Sequence, residues 1–181
     1  PLTIRPNLQV RMPSFTMLND DDWNSIIRAF QHIDNRNLSF ESKIAVDANS
    51  IKFKAGQKIH EFGACNNCHF YGEVKPIQGP ATWAPNLALT KERLRPEWVV
   101  EWLRDPQKIM PGTKMPAPYL PTLDLLQADG AVETWGEHLV KLNGDTDLML
   151  EGLRDYVFNI SGKIDISEIV KEYFKANGYN F

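Results

Sequence analysis

Cys65-Asn66-Asn67-Cys68-His69 is the stretch on which the reading of this chain turns. It holds the only two cysteines, and a histidine follows the second directly. C-x-x-C-H is the attachment signature of haem c, and the chemistry uses each position. Two thiols two residues apart on one helical turn can each form a thioether to a haem vinyl group. The residue after them sets an imidazole beneath the iron as proximal ligand. The motif is short, and its support lies downstream in Pro111-Gly112-Thr113-Lys114-Met115-Pro116, where a methionine can close the other face of the iron.

The chain has 181 residues, the length of one domain with elaborations or of two small ones. An apolar content of 43% is enough for a core, and the net charge of −3 argues against nucleic acid as a partner. Two haem propionates would make the loaded protein more acidic still. No run of about eighteen apolar residues occurs, so no transmembrane segment is expected. No signal peptide is visible, and the chain begins at Pro1, which reads as a processed or excised product. Haem is normally attached outside the cytoplasmic membrane. The expected location is therefore the periplasm or an equivalent compartment, reached by a removed signal or a membrane anchor beyond these residues.

Residues 1–13 read as extended, with Pro6 and Pro13 as breakers. Asn19-Asp20-Asp21-Asp22 caps a helix from Asp21 to about Ile33, with Trp23, Ile26, Ile27 and Phe30 on one face. Residues 34–50 form a polar linker. A helix from about Ser50 to Glu61 delivers the chain into Cys65, and residues 70–90, rich in Gly and Pro, are mostly loop. Pro96 opens a short helix that Pro106 stops after Arg104, and residues 106–122 are again loop. Residues 123–144 read as one helix burying Trp135 and Leu139. Residues 145–160 form an amphipathic helix with Leu148, Leu150, Leu153, Tyr156 and Val157 as candidates for burial. Gly162 ends it, and a last helix spans about Ile166 to Lys175. No strand and no repeat is evident. The expected fold is all-α, in three parts: an extension over 1–49, the haem-bearing domain over 50–161 and a helical tail over 162–181.

The segment Glu101-Trp102-Leu103-Arg104-Asp105-Pro106-Gln107-Lys108-Ile109-Met110-Pro111-Gly112-Thr113-Lys114-Met115 resembles the E-[YW]-L-x-[ND]-P-x-K-x-x-P-G-T-K-M segment of class I cytochrome c. Ala55-Gly56-Gln57-Lys58-Ile59-His60 is similar to that family's first helix, with one extra residue before the first cysteine. Ala84-Pro85-Asn86-Leu87 is similar to its G-P-N-L segment. The resemblance covers roughly residues 50–160. It implies the class I cytochrome c fold with an N-terminal helical extension and a C-terminal helical tail.

What the resemblance implies for the site follows residue by residue. Cys65 and Cys68 carry the one covalent haem c, and His69 and Met115, not Met110, ligate the iron; Met110 is the fallback only by its residue type and nearness in sequence. The Pro85 carbonyl accepts the His69 ring N–H. Trp102 lines the pocket near Met115, chiefly by packing, with an indole N–H that can reach the sulfur or a propionate. Thr113 offers its hydroxyl to a propionate. Gly56 and Tyr156 mark the close crossing of the first and last helices of the domain. The family has an aromatic where this chain has His60, which reads as a partly exposed helix residue. Trp98 reads as core. Lys75, Lys91, Lys108 and Lys114 are candidates to border the haem edge and steer a redox partner.

Arg11 to Phe30 resembles the end of a cytochrome c domain, where M-P-x-F precedes the final helix. Two explanations stand: the last piece of a preceding domain, in which Met12 would ligate a haem carried elsewhere, or an extension of the single domain. With no second C-x-x-C-H, the extension is favoured.

The expected activity is one-electron transfer, by a carrier or by a subunit or module of a respiratory or oxidoreductase complex, and not enzymatic turnover. Redox proteins and subunits of a membrane-associated complex are the expected partners. The alternative is haem-based gas sensing or ligand binding with Met115 displaced. Thiol–disulfide chemistry at Cys65 and Cys68 belongs near a βαβ pattern, which is not visible, and two cysteines with few histidines are a poor zinc set.

Overall fold

The computed structural model describes residues 15–33 and 44–162, with residues 168, 172, 175, 176 and 178. The expected extended segment at 1–13 with Met12, most of the 34–50 linker and most of the last helix lie outside them. Contacts divide the chain into a unit of Pro1–Glu41 with Phe174–Phe181 and a larger unit, Ser42–Tyr173.

Among the described residues every regular element is helical and none is a strand. In the smaller unit, α1 (Asp20–Ile33) starts where the Asn19 side chain accepts from the Asp21 and Asp22 N–H groups at 2.9 and 3.0 Å. This satisfies two of the donors that a helix start leaves open. Trp23, Ile26, Ile27 and Phe30 do fall on one side of it, but all are exposed. Phe15 packs edge-on against Trp23 at 6.1 Å between ring centres.

The larger unit is built on two helices from its two ends. Ser50 caps α2 (Ile51–Phe62) by accepting from Phe53 N at 3.1 Å. Asp145 caps α9 (Thr146–Asn159) through Leu148 N at 3.0 Å. Between them lie α3 (Thr90–Arg93), α4 (Pro96–Arg104), α5 (Pro106–Ile109), α6 (Leu123–Gln127), α7 (Ala131–Trp135) and α8 (Glu137–Val140). The core joins Ala55 and Ile59 of α2, Val99 and Leu103 of α4, Leu126, Leu139 and Leu142, and Met149, Leu150, Leu153, Val157 and Phe158 of α9.

The crossing of α2 and α9 departs from expectation in its partner. Gly56 does lie at the closest approach, but against Gly152, one turn before Tyr156. A Cβ on Gly56 would fall well inside van der Waals contact of the Gly152 carbonyl, and one on Gly152 would collide with the Lys52 carbonyl. Only glycine at both places lets the backbones meet. Tyr156 instead packs beside the crossing, edge-on to Phe53 and tilted against His60, at 5.6 and 4.8 Å. Lys52 spans the same interface to Glu151 at 2.9 Å and Asp155 at 3.2 Å.

Other expectations are corrected. Residues 123–144 make three short helices, because Gly130 and Gly136 sit at φ +76° and +81°, where a helix cannot continue. Leu139 is fully buried, while Trp135 is half-buried between Phe62 and Tyr119. Leu148 is exposed and Met149 takes the core position. Pro106 stops α4 but opens α5, since Asp105 caps it through Lys108 N at 3.1 Å. Trp98 is 39% exposed, so it is not core.

Candidate functional site

Where α2 ends at Gly63, the chain turns through Ala64 at φ +46°, a left-handed conformation costly for a residue with a Cβ. The reversal starts a single tight turn, in which Cys68 N and His69 N both donate to Cys65 O, at 3.3 and 2.9 Å. Both thiols are free and half-buried. Burial raises the pKa of the Cys65 thiol, keeping it protonated.

His69 lies in the fork of a second segment. Ala84 N donates to Cys68 O at 2.8 Å and Leu87 N to Phe70 O at 2.9 Å, so residues 84–87 run alongside the stretch that carries His69. This places the Pro85 carbonyl 2.6 Å from His69 Nδ1. Burial lowers the imidazole pKa, against the opposing pull of that carbonyl. A neutral ring whose Nδ1–H is spent on Pro85 keeps its Nε2 lone pair for a metal.

Asn86, which sequence reasoning passed over, is the clamp on this fork. It is 7% exposed. Its Oδ1 accepts from Gly72 N at 3.0 Å and Ala88 N at 3.1 Å, and its Nδ2 donates to Gly72 O at 2.8 Å. Asn86→Ala leaves these backbone groups buried without partners and is expected to lower stability by about 2 kcal/mol, read from the denaturant midpoint at unchanged slope. Its signal lay in the sequence, one residue after the noted Pro85.

The methionine loop is built from α4 and α5. Thr113 N donates to Met110 O at 3.1 Å, and Gly112 takes φ +86°. Gln107 straps the loop, its Oε1 accepting from Gly112 N at 3.2 Å and its Nε2 donating to Thr113 O. Met115 is half-buried and packed on the core, whereas Met110 is 58% exposed. Trp102 does more than pack: its Nε1–H donates to Met115 Sδ at 2.9 Å. The Thr113 hydroxyl oxygen accepts from Met115 N at 3.3 Å, leaving its proton available to another acceptor. Two ligand-type atoms are thus each fixed by a neighbour, His69 by Pro85 and Met115 by Trp102.

His60 contradicts its reading as partly exposed. It is 8% exposed because α2 turns it inward against Tyr156 and Tyr71. Its Nε2 is hydrogen-bonded to the Tyr71 hydroxyl. Burial lowers its pKa to about 4, assisted by nearby His69 and opposed by Glu61, so the ring is neutral. Burial likewise raises the pKa of the Tyr71 phenol. Lys75, Lys91, Lys108 and Lys114 are all exposed, and Lys75 lies over the Trp83 ring at 5.9 Å. Among the described residues no three His, Cys, Asp or Glu side chains converge as a metal site, and no helix is long and apolar enough to cross a membrane. Comparison with protein-family models, with curated proteins and with solved structures finds no match to this chain.

Proposed function

We propose that this chain carries one covalent haem c in a domain of the class I cytochrome c kind and transfers single electrons. The observation that carries the reading is the His69 Nδ1–Pro85 O hydrogen bond beside two free thiols, which leaves one imidazole nitrogen free directly after C-x-x-C. The donor set fits haem: two thiols for thioethers, a neutral imidazole and a soft thioether held by an indole N–H. Haem supplies a metal that changes oxidation state by one electron.

The chain's own residues then have distinct tasks. Cys65 and Cys68 anchor the group, while Pro85 fixes the ring of His69. Trp102 orients the Met115 sulfur and withdraws charge from it, and a thioether ligand raises the potential. Gln107 and Asn86 hold the two loops and limit reorganisation. Redox proteins, including subunits of a membrane-associated complex, would be the partners, in a compartment outside the cytoplasmic membrane.

The test is the visible spectrum of the dithionite-reduced protein with and without CO. Sharp haem c bands indifferent to CO are expected, with CO uptake appearing in Met115→Ala. Bands that shift with CO in the unaltered protein would favour ligand sensing, and absence of haem bands would end the reading.

A further inference from the structure

We propose that Trp98 and Trp102 form an electron-exchange route between the surface of α4 and the sulfur of Met115. The proposal rests on the electron-transfer reading above and adds where an electron enters or leaves.

Two contacts and one exposed ring carry it. Trp98 is 39% exposed, so one face of an indole is open to solvent. Its ring stacks on Trp102, with centres 5.2 Å apart and planes 13° from parallel. The two are four residues apart on α4, the spacing that sets side chains over one another. Trp102 then donates its N–H to Met115 Sδ at 2.9 Å. The path from solvent to sulfur therefore consists of one ring-to-ring contact and one hydrogen bond, with no gap between its parts. Trp98 is not needed for the core, which α4 serves with Val99 and Leu103.

The route conducts by tunnelling, and the indoles stay neutral. No bond forms or breaks and no proton moves; the one electron lost by a donor docked at Trp98 would be the one gained by the haem that Met115 would help to hold.

The experiment uses the haem-loaded chain with a ruthenium polypyridyl complex on Arg95→His. Residue 95 is the cap of α4, three residues before Trp98 in the first turn of that helix. His32 and His138 are replaced by Gln throughout so that the label has one accessible site. Flash photolysis then gives the intramolecular electron-transfer rate. Trp98→Leu is expected to slow it at least about tenfold, with Trp98→Phe in between. The same substitutions are expected to leave the rate unchanged from a label on Lys75→His, on the loop after His69. The reduction potential is expected to be the same in all variants. The haem-independent readout is the far-UV circular dichroism exciton couplet of the stacked indoles, expected in the unaltered chain and lost in Trp98→Leu. A couplet that is absent, or a rate from Arg95→His indifferent to Trp98→Leu, would overturn the route while leaving the haem reading intact. A chain that binds no haem would overturn both.

Discussion

Gly56→Ala and Gly152→Ala are each expected to lose about 3 kcal/mol or more, because the new methyl would land inside the backbone of the facing helix. The obstacle in each case is a carbonyl, which cannot rotate away as a side chain end can. Relief requires moving α2 off α9, which loosens Ala55 and Ile59 from Leu150 and Leu153 across the core. Against a typical total of about 5–15 kcal/mol, that is a large share. Urea unfolding is the measurement. The double variant is expected to cost less than the sum of the single ones, since the first separation relieves the second clash. Additive costs would mean that the two glycines do not share one contact.

The second large effect is acid lability at His60. Its native pKa is about 4 against 6.5 in the unfolded chain, so between these values the unfolded chain binds the proton and the folded one does not. Stability is therefore full above about pH 7 and falls as pH drops through 6.5, levelling off below 4. The loss is about 3 kcal/mol over that window. His60→Phe keeps a ring packed against Tyr156 but deprives the Tyr71 hydroxyl of its partner. It is expected to be about 1 kcal/mol less stable at pH 7 and more stable than the parent at pH 4. Denaturant titrations of both proteins at the two pH values, in the same haem state, decide it. Parallel losses in the two proteins would assign the acid response to other groups.

Local signals were legible where a single residue type has one physical task. Ser50, Pro96 and Asp145 mark their helix starts in the sequence, and the structure has them there. The Pro85 carbonyl and Met115 were placed by a family resemblance, and the structure gives each a bonded neighbour. What stayed hidden depends on which elements meet. Nothing local distinguishes Gly152 from any other helical glycine until α2 lies across it. His60 looks solvent-facing by polarity, and only the approach of Tyr71 and Tyr156 supplies a buried place with a partner. Residues 123–144 show the opposite failure. Their apolar spacing suits a helix, yet Gly130 and Gly136 break it because the turns they permit fold Leu126 and Leu139 onto one core.

The meeting of α2 with α9 also fixes an order of events in synthesis. The helix that carries the chain into Cys65 is made early in its unit, and the helix that covers it is made near the end. Until α9 leaves the ribosome, the Ala55 and Ile59 stripe of α2 has no lasting cover. A contact of such long sequence separation is slow to form. Through that interval the turn that holds the two thiols sits on a chain not yet closed by α9. The glycine pair is thus the contact that joins the first helix of the unit to one made about ninety residues later.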